Sequence, residues 1–282
     1  MAARYGCRVW FVFADDSEEK HPRRLGLGHL VGVGAVLFPE GSLIAYTEGI
    51  RQLRNELGVP PGVELKWSPP HGSWLKSAEG NAIRTPLRKR MLMLAKDLDA
   101  RSLTVVWDRG QVEWAVPDTR REVLKYLYDK VSLCLTTLEA HGVVIADEPG
   151  GGSAEQRAWL AETLPLTDEG TYYTKPERIL LPITTAPSNH IPHLQLADLI
   201  AGATTAAIAG NRYALELLPE LKALTHRNSH GRIGGAGLTL WPPSLVNLFY
   251  WVCGDDCYIR FGIGFPLPEA DRLFAESDGL PS

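Results

Sequence analysis

The sequence predicts an α/β fold: a mixed sheet of three antiparallel strands followed by alternating strands and helices, with helices flanking the sheet. Three observations carry this. Apolar, β-branched runs at residues 9–14 and 30–38 are followed by a third run, 43–46, across the short turn Pro39-Glu40-Gly41, which reads as a meander. Further along, apolar residues recur by turns at strand and at helical spacing. Two of the strand-like runs end abruptly in acids, as strands do where an open α/β sheet presents a ligand site.

Each element has its own warrant. Residues 9–14 are aromatic and β-branched, and the polar cluster Asp15-Asp16-Ser17-Glu18-Glu19 stops them. The second run contains Gly32 and Gly34. Ile50, Leu53 and Leu57 then keep helical spacing, with Gly58 as a stop and Pro60-Pro61 beyond it. Residues 63–67 form a short extended segment, and Thr85-Pro86 reads as the cap and first residue of a helix. That helix has Leu87, Met91, Leu94 and Leu98 on one face and Arg84, Arg88, Lys89 and Arg90 on the other.

A strand at 103–107 precedes a helix over 119–141, with Val123, Leu127, Val131, Leu135 and Leu138 on one side. Residues 143–146 form a strand that runs into Asp147 and Glu148, and Ser153 with Gln156 makes a capping-box pattern for a helix to about residue 164. A strand at 180–183, an Ala-rich helix at 194–209 and a helix at 213–224 follow, then a polar, Gly-rich stretch at 227–237 and an apolar one at 245–252. The chain therefore divides into a sheet-centred domain, 1–210, and a helical, loop-rich extension, 211–282, packed on it.

With 45% hydrophobic and 22% charged residues, the composition excludes a disordered or fibrous chain. Lys and Arg number 29 against 33 Asp and Glu, so the surface as a whole does not attract nucleic acid, and any such role needs a local patch. No apolar run approaches the ~20 residues that span a bilayer, and residues 1–8 lack the apolar stretch of a secretory leader. Cys7, Cys134, Cys253 and Cys257 are few and scattered, which suits a reducing compartment. The expectation is a cytoplasmic protein with no membrane partner.

The informative residues are acids in apolar surroundings. Asp15 and Asp147 each follow a strand-like run; a strand end is also simply where a chain returns to water. Asp198 lies inside Leu194-Gln-Leu-Ala-Asp-Leu-Ile-Ala-Gly202, and Asp is a poor interior-helix residue. Ala201 and Gly202 on its own face would let that face approach a sheet closely and carry the carboxylate inward, where it must be paired, hydrogen-bonded or metal-bound. The plainer readings are an ion pair with an Arg or exposure on the one polar stripe. Glu64 and Lys66 share one face of the segment Val63-Glu-Leu-Lys-Trp67; alone, Glu64 reads as a surface acid.

Taken together, Asp15-Asp16-Ser17, Glu64-Leu65-Lys66-Trp67-Ser68, Asp147 and the helix around Asp198 resemble the bacterial domain-of-unknown-function 3800 family, which is regarded as ribonuclease H-like. The resemblance runs from about Val9 to Gly202, and departs from many relatives at Glu18, where they have Gly after the Ser. It implies a ribonuclease H-like catalytic domain in residues 1–210, and a site in which acids hold two divalent ions that clamp a phosphodiester. Carried over residue by residue, Asp15, Glu64, Asp147 and Asp198 would ligate Mg²⁺ or Mn²⁺, hard cations that take oxygen ligands, on a DNA or RNA substrate; beside them, Lys66 reads as a contact to the scissile phosphate. The implied activity is a metal-dependent nuclease. The alternative is a catalytically inactive member of that fold that binds nucleic acid or a protein.

Several readings stay open. Asp108 follows the strand at 103–107 and competes with Asp147; the match to the family favours Asp147. Asp16 and Glu148 are second choices, since neighbours along a strand point to opposite faces. Lys66 also reads as a plain ion pair. Arg84, Arg88, Lys89 and Arg90 read either as a guide for a phosphate backbone or as a solvated helix face. His190 and His193, around Pro192, read as substrate contacts or as solvent-facing loop residues. Gly150-Gly-Gly152 lacks the Gly-Lys-Ser/Thr ending of a phosphate-binding loop, and Cys253 and Cys257 lack a second ligand pair for zinc.

Overall fold

The computed structural model describes residues 8–110, 116–149, 153–260 and 263–266. Strands β1 (Val9–Glu19) and β2 (Leu30–Pro39) form an antiparallel hairpin, and helices α1 (Leu43–Glu56) and α2 (Ala78–Asp97) follow before β3 (Arg101–Asp108) returns to the sheet. Helix α3 (Val116–Thr137), β4 (His141–Asp147), α4 (Ser153–Asp168), β5 (Thr184–Ala186) and α5 (Pro192–Ile208) complete the alternating part. The rest comprises α6 (Arg212–Leu215), α7 (Leu218–Leu224), β6 (Leu238–Trp241) and a separate hairpin, β7 (Cys257–Arg260) with β8 (Ile263–Pro266).

The main sheet is six-stranded and mixed, in the order β5-β4-β1-β2-β3-β6. Strands β1, β2 and β3 run antiparallel in turn, while β4 joins β1, β5 joins β4 and β6 joins β3 in parallel. Alternation along the strands gives the sheet two buried faces. On one, Trp10, Val12 and Ala14 of β1 with Val33 and Ala35 of β2 pack under Val123, Leu127 and Val131 of α3. On the other, Phe13, Val36 and Phe38 pack under α1, α2 and α5 through Tyr46, Ile50, Met91, Leu194 and Ala197. No described helix is long and apolar enough to cross a membrane.

The expected third strand at 43–46 is instead the first turn of α1. Its apolar residues extend the helical series backwards, Tyr46 lying one turn before the buried Ile50 and Leu53, so the antiparallel trio closes only after two helices. Helix α2 starts at Ala78, not at Pro86: the Ser77 hydroxyl caps it by accepting the Gly80 N–H at 3.1 Å, and Pro86 is tolerated within it. The strand expected at 180–183 forms instead at Thr184–Ala186, past Pro182, which has no N–H to give a ladder. The helix expected at 213–224 is two, since Pro219 opens the second. Beyond residue 210 the chain adds β6 to the edge of the main sheet and a third apolar cluster, with Leu240, Leu245 and Phe249 beside Ala206 and Ile208 of α5. Gly150-Gly-Gly152 and residues 267–282 lie outside the described residues.

Candidate active site

Strand pairing places two acids side by side. Strand β1 does not stop at Asp15 but runs on to Glu19 against β2, whereas its ladder with β4 ends at Ala14 opposite Ala146. Asp15 and Asp147 are the next residues of these parallel neighbours. They share the parity of Phe13 and Ile145, so both project onto the α5 face. Asp16 and Glu148, of opposite parity, are exposed. The crevice where two strands part at the edge of their ladder is a favoured ligand position in α/β sheets.

Helix α5 brings Asp198 to the same crevice because small residues let it lie close to β2. A Cβ built on Gly34 would come within 2.8 Å of the Ala201 backbone, and one on Gly202 within 2.4 Å of the Trp67 ring. The Asp198 Oδ2 accepts the Trp67 N–H. This fixes the fourth acid as well, because Trp67 belongs to the segment carrying Glu64 and Lys66. Gln195, one turn earlier on α5, accepts the Leu65 N–H at 3.2 Å and donates to the carbonyls of Ser188 at 2.9 Å and Asn189 at 3.2 Å. The extended segment is thus tied to a helix rather than to a strand.

The Lys66 ammonium lies among these acids. Its Nζ is 3.4 Å from Glu64 Oε1 and 3.7 Å from Asp147 Oδ2. Ser188 reaches the same two oxygens, its Oγ 2.8 Å from Glu64 Oε1 and 3.0 Å from Asp147 Oδ2. A hydroxyl has one proton, so it donates to one of them at a time. Asp147 Oδ1 accepts the N–H groups of Glu148 at 2.9 Å and Ser188 at 3.0 Å.

The electrostatics follow from crowding acids in a half-buried place. Burial, then the charges of Asp198, Asp147 and Asp16, push the Asp15 carboxyl up to about 9, against the Asp16 N–H that favours its anion. Burial also pushes Asp198 up to about 6, while the Trp67 N–H, Lys66 and Arg88 restrain it. Burial works against the Lys66 charge, but Glu64, Asp147, Asp198 and Asp15 outweigh it and raise its pKa. Among the described residues no group of three or more His, Cys, Asp or Glu side chains is arranged to hold a metal ion. The acids as they stand gather round an ammonium.

No family model and no curated protein matches the sequence.

Several residues that the sequence leaves open take definite places. Asp108 is fully buried at the end of β3, where its Oδ1 accepts the N–H groups of Gly28 at 3.0 Å and Gly110 at 2.8 Å and so ties two loops together. The basic face of α2 is not one solvated surface. Arg88 is buried, donates to the carbonyls of Lys66 at 3.1 Å and Trp67, and stacks over the Trp67 ring at 4.3 Å; Lys89 pairs with Glu220 and Arg90 with Glu56. His193 is neither solvent-facing nor in the crevice: it stacks on Phe13 at 4.6 Å between Phe38 and Tyr46. His190 is exposed.

Sequence reasoning misses Ser188 and the positioning roles of Gln195, Trp67 and Arg88. Gln195 carries a signal, since a buried amide on the same helical face as Asp198 needs partners. Ser188, between Pro187 and Asn189, carries none.

Proposed function

We propose that the protein is a metal-dependent nuclease on a ribonuclease H-like fold, hydrolysing phosphodiester bonds of DNA or RNA with Mg²⁺ or Mn²⁺ held by Asp15, Glu64, Asp147 and Asp198. The observation that carries the reading is the meeting of acids from four distant parts of the chain at the crevice between β1 and β4. The mixed sheet is compatible with that fold: β1, β2 and β3 run antiparallel and β4 and β5 add in parallel beside β1, in the order β5-β4-β1-β2-β3-β6. On this reading α1 and α2 are an insertion after β2, and β6 is an addition at the edge.

The chemistry of the donors, rather than their present arrangement around Lys66, suits a hard divalent cation. They are all carboxylate oxygens, and the charges of Asp198, Asp147 and Asp16 around Asp15 make a negative field that favours a cation. Bound ions would supply Lewis acidity toward a phosphoryl oxygen. The chain's own residues do the positioning. Ser188 holds Glu64 and Asp147 together, Gln195 and Arg88 fix the segment that carries Glu64, and the Trp67 N–H orients Asp198. Lys66, about a quarter exposed, is the group that would meet substrate phosphate.

Calorimetric titration of Mn²⁺ into the wild type and Asp198→Asn tests the reading, together with cleavage assays on single- and double-stranded DNA and RNA. Binding in the wild type that Asp198→Asn loses, with metal-dependent cleavage, is the expected result. Binding without cleavage of any substrate would favour the inactive binding module, and no binding by the wild type would end the metal reading.

A further inference from the structure

We infer that Lys66 is a built-in competitor for the metal: its ammonium occupies the carboxylate cluster until a divalent cation displaces it, and displacement frees it to face substrate phosphate. This rests on the function proposed above and concerns how the same site is controlled.

The geometry separates Lys66 from the other cation nearby. The Arg88 guanidinium is committed to two carbonyls and to the Trp67 ring, so it is locked in place. Lys66 has no such commitment. Its Nζ stands 3.4 Å and 3.7 Å from two carboxylates, longer than the ~2.7–2.9 Å of a tight charged hydrogen bond. An ammonium shared loosely between acids on a flexible four-carbon stem is held by the field of the cluster more than by directed bonds.

A divalent cation seeks the same negative potential and the same oxygens, and like charges exclude one another from so small a space. Glu64 and Asp147 are already held near one another by Ser188, so they need not be gathered afresh when Lys66 leaves. The tether keeps the ammonium close, which places it beside any phosphate that enters with the metal. In the metal-free protein the same ammonium offsets the repulsion among those acids that are ionised.

The test compares Mn²⁺ affinity, by calorimetry at fixed ionic strength, and metal-free melting temperature for wild type, Lys66→Met and Lys66→Arg. Lys66→Met should bind Mn²⁺ about tenfold more tightly than wild type, melt lower without metal, and gain more in melting temperature when Mn²⁺ is added. Lys66→Arg keeps the charge but grips carboxylates through a planar fork, so it should fold as wild type does and bind Mn²⁺ more weakly. Equal affinity in all three, or weaker binding by Lys66→Met, overturns the inference while leaving the metal site intact. Absence of Mn²⁺ binding in all three overturns the inference together with the function on which it rests.

Discussion

Asp15 and Asp147 stand next to each other on parallel strands, one residue beyond the last rung that joins Ala14 to Ala146. Regular pairing would leave two carboxylates adjacent on one buried face, a costly arrangement that a fold sustains only with a proton, a cation or donors to each. Asp147 has donors in Ser188 and the Glu148 N–H. Asp15 has the Asp16 N–H at 2.7 Å, and its carboxyl is pushed up to about 9.

The first prediction follows from that shift. A carboxyl whose folded pKa lies above its unfolded value stabilises the fold fully only below the unfolded value, near pH 4, and stability is lost as pH rises toward about 9. In the metal-free protein Asp15→Asn should therefore be more stable than wild type at pH 8, by about 2–4 kcal/mol, and nearly equal to it at about pH 4.5. Urea unfolding at the two pH values measures this. A pH-independent difference would show that Asp15 ionises without penalty.

Ser188 gives a second prediction. Its hydroxyl reaches both Glu64 and Asp147 while its N–H donates to Asp147, and removing one partner of a charged hydrogen bond costs about 1–3 kcal/mol. Ser188→Ala should lower metal-free stability by about that amount at pH 7. The loss should be smaller in Glu64→Gln, where one acid no longer competes for the hydroxyl, and a double-mutant cycle reads the coupling. Strict additivity of the two changes would mean that Ser188 does not link the two acids.

These residues mark the boundary of what a sequence reveals. Asp15, Asp147 and Asp198 are legible because a carboxylate amid apolar neighbours is costly, and the cost marks the position without knowledge of the fold. The α/β alternation is legible through periodicity in α3, α5 and β4. Residues 43–46 mislead because four apolar residues do not distinguish a strand from a helical turn; the buried Tyr46, one turn before Ile50, decides it. Ser188 and Arg88 acquire their roles only through tertiary contact, across more than a hundred residues from Ser188 to Glu64, and no local pattern encodes that.

His193 supplies a third prediction. Enclosed by Phe13, Phe38 and Tyr46, with a backbone hydrogen bond to Leu43, it is driven down to about 4 by burial. A histidine whose folded pKa lies below its unfolded value contributes stability at pH above about 6.5, which is lost as pH falls toward about 4. His193→Phe should lose the hydrogen bond, costing about 1 kcal/mol at pH 8, yet should lose up to about 3 kcal/mol less than wild type between pH 7 and pH 4. Stability curves over that range decide it. Parallel curves would place the acid sensitivity elsewhere.

The last prediction concerns how α5 reaches the sheet. Glycine within a strand often marks a close approach of another backbone, and both glycines of β2 face this helix: a Cβ on Gly34 would lie 2.8 Å from Ala201 N and Cα, and one on Gly32 would lie 2.2 Å from the Thr205 hydroxyl oxygen. The Thr205 side chain can turn aside, but the Ala201 backbone cannot. Gly34→Ala must therefore lift α5 from β2, at a cost of about 1–3 kcal/mol for overpacking. Because Asp198 lies one turn before Ala201 on that same helix, the shift should, on the proposed function, also weaken Mn²⁺ binding. Gly41→Ala, where an added Cβ meets nothing within 4 Å, is the control and should change neither stability nor metal affinity. If Gly34→Ala lowers stability but leaves Mn²⁺ affinity at the wild-type value, the depth of α5 on the sheet does not set the position of Asp198.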